Sequence, residues 1–168
     1  MKRLFYDRLL SAIAVLLWMG VIFMFSAQTG ALSGGTSGRI LKVFIGIFYP
    51  NFESLSPDLQ SSIMSVWHTV IRKGAHFSEY AVLAALSANA IRTYNLSRAL
   101  KFAIPVGVGF LYAVSDEIHQ LFVADRAGSL KDVLIDTSGA LFGTLVFFLI
   151  YFICVKVKKK KGIKGETI

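Results

Sequence analysis

Ionisable and hydrogen-bonding side chains are concentrated in three segments of an otherwise apolar chain. The three segments carry, in order, Arg72, Lys73, His76, Glu79 and Tyr80; Asp116, Glu117, His119 and Gln120; and Arg126, Asp132 and Asp136. Carboxylates and histidine can exchange protons with a ligand, and arginine can hold phosphate or carboxylate groups through paired hydrogen bonds. These residue types predict a polar site, provided that the three segments meet in the fold.

Spacing separates the kinds of chemistry that such a site can perform. Zinc takes histidine and carboxylate ligands, but His76-x-x-Glu79 and Glu117-x-His119 lack two histidines one helical turn apart. We therefore predict no metal and no other cofactor. Acid–base catalysis remains an alternative, with Glu117, Asp136 or His76 as the proton-transfer groups.

Nucleophilic catalysis has weaker support in the sequence. Ser26, Ser78 and Ser115 are the serines nearest to these segments, and no nucleophile motif surrounds any of them. The chain also contains no glycine-rich phosphate loop, so phosphate or carboxylate recognition would depend on Arg72, Lys73 and Arg126.

The composition predicts an integral membrane protein. Of 168 residues, 55% are hydrophobic and only 17% are charged, and the mean hydropathy is +0.62. One soluble core of this size could not bury so much apolar surface. The 14 phenylalanines argue against disorder, and the single cysteine excludes a disulfide scaffold.

Apolar runs of sufficient length predict an all-α membrane protein with four transmembrane helices. The predicted spans are at about residues 9–25, 75–91, 101–122 and 133–155, in one domain of residues 1–155 followed by a basic cytoplasmic tail, 156–168. Residues 26–38 are small and polar and predict a loop. Residues 40–49 are too short to span and predict an interfacial or re-entrant helix, and Ser56-Pro57 begins an amphipathic helix that leads into the second span near Gly74.

Basic residues predict the orientation of the helices. They gather before the first span, between the second and third spans, and after the fourth span, so the positive-inside rule places both termini in the cytoplasm. The lysine run of the tail predicts contact with anionic lipids rather than with nucleic acid.

The acidic groups of the three segments are predicted to lie at one depth. Asp136 precedes Lys156 by 20 residues, Glu117 follows Lys101 by 16, and Glu79 precedes Arg92 by 13. At 1.5 Å per residue these separations are roughly 30, 24 and 20 Å, so all three carboxylates are near the outer side.

Helical spacing predicts how these groups face one another. Asp136 shares a face with Gly139 and Gly143, a small-residue seam that favours close helix contact and an inward-facing Asp136. Its predicted partner is Arg126 or His76. Asp132 is predicted to cap its helix in a box with Ser129, whereas Glu79 is expected to neutralise Arg72 or Lys73.

The ordered set of motifs resembles the VanZ-like family. The set comprises Trp18-x-x-x-Ile22-Phe23-x-x-Ser26-x-Gln28, Arg72-Lys73-x-x-His76-x-x-x-Tyr80, Asp116-Glu117-x-x-Gln120, Arg126, Asp132, Asp136 and Gly139. The resemblance implies a small multi-span bacterial protein whose namesake is associated with teicoplanin resistance. It implies no settled biochemical activity.

The sequence is compatible with three functions. The first is an outer-leaflet protein that binds an amphiphile, which is a lipid headgroup, a lipid-linked wall precursor or a lipid-tailed glycopeptide. The second is a membrane enzyme acting on a lipid-linked phosphate or ester. The third is a structural or regulatory helix bundle in which the polar residues only hold helices together.

Overall fold

Helices make up nearly all of the folded chain. The computed structural model describes residues 2–160, apart from the side chains at positions 30–32 and 36, and no strand occurs in that range. The elements are α1 (Lys2–Ser26), α2 (Gly30–Phe48), a 3-10 turn (Phe52–Ser54), α3 (Pro57–Ile91), α4 (Arg98–Gln120) and α5 (Leu130–Lys160).

α1, α3, α4 and α5 form a bundle that runs up and down in chain order. The start of α1 meets the end of α3, where Arg8 donates to the Thr93 carbonyl at 2.8 Å. Farther along, the Trp18 indole N–H donates to the Glu79 carbonyl at 2.9 Å. α1 and α3 are therefore antiparallel, and the basic residues at the start of α1 and the end of α5 lie at one end, called here the basic end.

Within residues 2–160, three helices are long and apolar enough to cross a membrane: α1, α4 and α5. Their outer faces carry large apolar side chains such as Leu17, Leu111 and Leu149, which are 67%, 68% and 61% exposed. A bilayer is the environment in which such a surface is stable. The predicted second span does not meet the same criterion of apolarity, although it packs among the other three helices.

α3 is longer than either segment predicted for it. The amphipathic helix and the span that follows it form one helix over Pro57–Ile91, with Ser56 as N-cap and Pro57 in the first turn as predicted. Gly74 does not interrupt the helix. The first half of α3 extends beyond the bundle at the end opposite the basic end.

α2 packs against this extension of α3, and the two helices form a hairpin. The Trp67 indole N–H donates to the Tyr49 hydroxyl at 2.9 Å, and Leu41 of α2 is only 2% exposed. The prediction of a loop over residues 26–38 was wrong from Gly30 onward, because packing against α3 stabilises a helix that its small polar residues would not form alone. α2 ends at Phe48, before Pro50.

The closest packing in the bundle joins α3 and α5. A Cβ atom added to Gly139 would overlap the Phe77 carbonyl oxygen, and one added to Gly143 would overlap the Ala81 carbonyl oxygen. Both glycines are buried. The predicted small-residue seam therefore exists, and it lets the backbones of α3 and α5 touch.

Two helix ends differ from the predicted bounds. α4 ends at Gln120 rather than Phe122, because the Leu121 amide turns back to the Ile118 carbonyl in a tighter turn. α5 continues through residue 155 to Lys160, so the basic tail begins as helix. The rest of the predicted tail, residues 161–168, lies outside the described residues.

The seam predicts a destabilising effect of a single methyl group. Gly143→Ala should lower the unfolding free energy by about 1–3 kcal/mol, because the new Cβ forces α3 and α5 apart. Gly20→Ala is the matched control, since nothing lies within 4 Å of the position of its Cβ. Thermal unfolding of each purified variant in detergent gives the two unfolding temperatures. Equal unfolding temperatures for Gly143→Ala and Gly20→Ala would contradict the packing described.

Candidate functional site

The polar residues of α3, α4 and α5 meet at the end of the bundle opposite the basic end. These residues, together with Arg126 from the loop after α4, are called here the polar cluster. They are Lys73, His76, Glu79, Tyr80, Asp116, Glu117, Gln120, Arg126, Asp132 and Asp136. Asp116 lies close enough to interact electrostatically with groups from all three helices and from the loop after α4, among them His76, Arg126 and Asp136. The cluster is therefore one electrostatic unit.

α4 contributes three polar side chains that are almost completely buried. Asp116, Glu117 and Gln120 are 4%, 6% and 4% exposed. The Gln120 amide donates to Asp116 Oδ2 at 3.1 Å, across one turn of the helix. Glu117 Oε2 accepts a hydrogen bond of 2.6 Å from the Ser129 backbone N–H, which ties α4 to the start of α5.

Asp136 is the most deeply buried charged residue of the site. It is 0% exposed, and neither carboxylate oxygen has a hydrogen-bond partner among the described residues. The predicted partnership with Arg126 or His76 is not formed, because Arg126 binds elsewhere and His76 Nδ1 is itself buried without a partner.

Tyr80 repeats this pattern on α3. Its side chain is 0% exposed, and its hydroxyl is buried without a hydrogen-bond partner in the described part of the chain. The ring of Tyr112 from α4 lies 6.3 Å away, centroid to centroid. Tyr80 also lies within electrostatic range of Asp116, Asp136 and Glu117.

The edge of the cluster carries an ion pair between α3 and α5. Lys73 Nζ lies 2.5 Å from Asp132 Oδ1, and the two side chains are 32% and 26% exposed. Lys73 thus pairs with Asp132 and not with Glu79. Arg72, the other partner predicted for Glu79, is exposed and forms no ion pair with it among the described residues. The predicted capping box also differs from the structure, because Glu117 from α4 takes the Ser129 N–H that Asp132 was expected to bind.

Arg126 fastens the loop after α4 to the end of α1. Its guanidinium donates to the Gln28 carbonyl at 3.2 Å and to the Phe25 carbonyl at 3.4 Å. Asp125 before it adopts a left-handed backbone, with φ 58°. Burial lowers the pKa of Arg126, and the neighbouring Arg72 acts in the same direction, but an arginine remains charged at neutral pH.

The sequence analysis did not predict three of the side chains that lie at or beside the site, or predicted no contact for them. The Tyr112 hydroxyl donates to the Met19 carbonyl at 2.6 Å, and its position one turn before Asp116 was the available signal. Ser26 Oγ is buried without a partner among the described residues. The His119 ring packs on Phe23, with centroids 4.7 Å apart.

The chemistry available at the cluster is mainly hydrogen-bond acceptance. Among the described residues, the buried atoms of the cluster without a hydrogen-bond partner include Glu117 Oε1, both oxygens of Asp136 and His76 Nδ1, and the nearby His119 Nε2 also has none. Within residues 2–160, no group of three or more His, Cys, Asp and Glu side chains has an arrangement that could hold a metal ion.

The fold and site define a class: an all-helical bundle with span-compatible apolar helices and a buried polar cluster at one end. The family model described as VanZ/LLP1 matches residues 11–151. The chain belongs to this family, which confirms the resemblance stated from the motifs. Comparison with curated proteins and with solved structures gave no match.

The Glu117 contact predicts a local effect on the α4–α5 junction. Glu117→Ala should lower the free energy of unfolding by about 1.5–3 kcal/mol, because the carboxylate no longer accepts a hydrogen bond from the Ser129 amide. Hydrogen exchange of the peptide containing Ser129 should become faster. Glu53→Ala, at an exposed acid in the 3-10 turn, is the control, and unchanged exchange at Ser129 would refute the assignment.

Proposed function

We propose that this protein binds the headgroup of an amphiphile at the outer leaflet of the bacterial plasma membrane. The polar cluster is the binding site, and the amphiphile is a lipid, a lipid-linked wall precursor or a lipid-tailed glycopeptide. The observation that carries the proposal is the set of buried polar atoms without partners, centred on Asp136 and Tyr80.

Unpartnered buried groups are costly, which argues for a role other than stability. Leaving one buried acceptor unsatisfied costs about 1–3 kcal/mol, and more when the group is charged. A cluster that only held helices together would be selected to pair its members. Ionisable groups inside membrane helices are accordingly associated with function.

The apolar surroundings of the cluster suit an amphiphilic ligand. Phe122 in the loop after α4 and Leu130 at the start of α5 are 83% and 84% exposed, and Leu134 on α5 is 69% exposed. A ligand with a polar head in the cluster and an acyl or prenyl tail along these side chains would bury both kinds of surface.

The proposed topology has four spans with both termini in the cytoplasm. The second half of α3 packs against α1, α4 and α5, and it is bonded to α1 near both of its ends through Trp18 and Arg8. If those three helices cross the bilayer, this part of α3 lies at the same depth. The basic end then faces the cytoplasm and contacts anionic lipid headgroups.

Cysteine labelling tests this topology. In a Cys154→Ser background, Asn51→Cys should react with a membrane-impermeant maleimide in intact cells, because residue 51 lies in the turn after α2. Asn95→Cys, in the loop between α3 and α4, should react only after lysis. Labelling of residue 95 in intact cells would contradict the four-span arrangement.

Native mass spectrometry of the detergent-purified full chain tests the binding function. The probes are phosphatidylethanolamine, phosphatidylglycerol, a lipid-linked wall precursor and teicoplanin. At least one probe should bind, with about tenfold weaker affinity after Asp136→Asn, which replaces one of the two unpartnered carboxyl oxygens with an amide NH2 group. The same substitution should leave the unfolding temperature unchanged or raise it, because neither oxygen of Asp136 makes a hydrogen bond that the substitution could break.

Asp58→Asn is the matched control, since Asp58 is an exposed acid in the first turn of α3. It should leave binding unchanged and lower the unfolding free energy by about 1 kcal/mol at most, through loss of the favourable interaction with the helix dipole. If no probe distinguishes Asp136→Asn from the wild type and the variant is less stable, the structural alternative is correct. Conversion of any probe to a product, lost in Glu117→Gln, would instead establish the enzymatic alternative.

A further inference from the structure

The polar cluster has more acceptors than donors available to a ligand. Carboxylates come from Glu79, Asp116, Glu117, Asp132 and Asp136, whereas the buried or half-buried cations are Lys73 and Arg126. Of the carboxylate oxygens, both from Asp136 and one from Glu117 are buried and have no hydrogen-bond partner in the part of the chain that the structure describes.

Both of these cations are already engaged within the protein. Lys73 pairs with Asp132, and Arg126 donates to main-chain carbonyls at the end of α1. A phosphate or carboxylate ligand would therefore have to displace one of these contacts or stay at the exposed Arg72, and inside the cluster it would approach Asp136 and Glu117 as a like charge. Such an approach is unfavourable in a site with few water molecules to screen it.

A ligand that donates hydrogen bonds fits the same atoms without displacing any contact. A primary ammonium has three N–H donors and one positive charge, like the side chain of lysine. Asp136 and Glu117 lie within electrostatic range of each other, and together they carry three unpartnered oxygens, as many as an ammonium has N–H donors.

We infer that the headgroup recognised by the polar cluster is a primary ammonium, bound by Asp136 and Glu117 and carried on an apolar tail. This inference rests on the proposed function and narrows it to one ligand chemistry. Tyr80, with its unpartnered hydroxyl, contributes a further acceptor to the headgroup. The Lys73–Asp132 pair, one turn outward from Asp136 on α5, is the partly exposed edge of the cluster, with side chains 32% and 26% exposed.

Calorimetric titration with small amphiphiles of matched tail tests the inference. The full chain is held in uncharged maltoside micelles, with empty micelles as the blank. The probes are octylammonium, octyltrimethylammonium, which has the charge but no N–H, octyl phosphate and the tail-free ethylammonium. Octylammonium should bind at least tenfold more tightly than each of the other three.

Variants assign the binding to the cluster. Asp136→Asn and Glu117→Gln should each weaken octylammonium binding about tenfold or more, and Asp58→Asn should leave it unchanged. Thermal unfolding identifies any variant that is not folded. If one of Asp136→Asn and Glu117→Gln fails to fold, the binding result for the other one decides the test. Ethylammonium binding as tight as that of octylammonium would assign the site to water-soluble amines and overturn the lipid-borne headgroup.

The two proposals fail in different ways. If octyl phosphate binds more tightly than octylammonium and loses affinity after Asp136→Asn or Arg126→Ala, the ammonium inference is wrong and the amphiphile site stands. Equal affinities for octylammonium and octyltrimethylammonium would show that N–H donation is not needed for binding, and the ammonium inference would then be wrong. If no octyl probe depends on any residue of the cluster, and the larger amphiphiles used above also show no dependence, the proposed function fails as well.

Discussion

The contact between α3 and α5 is the constraint on which the rest of the structure depends. At Gly139 and Gly143 the two backbones touch, since no side chain separates α5 from the carbonyl oxygens of Phe77 and Ala81. Asp136 lies one turn before Gly139 on the same face, and Tyr80 lies beside Ala81 on α3. The approach that closes the seam therefore also removes Asp136 and Tyr80 from solvent.

Main-chain carbonyls satisfy most of the strong donors around the site. Trp18, Tyr112 and Arg126 all donate to carbonyl oxygens of neighbouring elements. These bonds join α1 to α3, to α4 and to the loop that precedes α5. The donors are consumed in assembling the bundle, and as a result the carboxylates in its interior keep unused acceptor capacity.

The sequence predicted the elements better than their contacts. Helical period and charge placed four long helices, and the depth argument from Lys156, Lys101 and Arg92 placed the acids at one end. The partners of Asp136 and Asp132 were predicted wrongly, because pairing across helices depends on rotation and register, which spacing within one segment does not determine. α2 was missed over residues 30–38 since its stability comes from packing against α3.

The unbroken course of α3 couples two regions that would otherwise be independent. Its first half forms the hairpin with α2, and its second half carries His76 and Tyr80 in the interior. From Pro57 to His76 the helix rises roughly 28 Å with no loop between them. The segment that packs against α2 and the segment beside Asp136 are therefore parts of one continuous helix, so neither can change its tilt independently unless the helix bends.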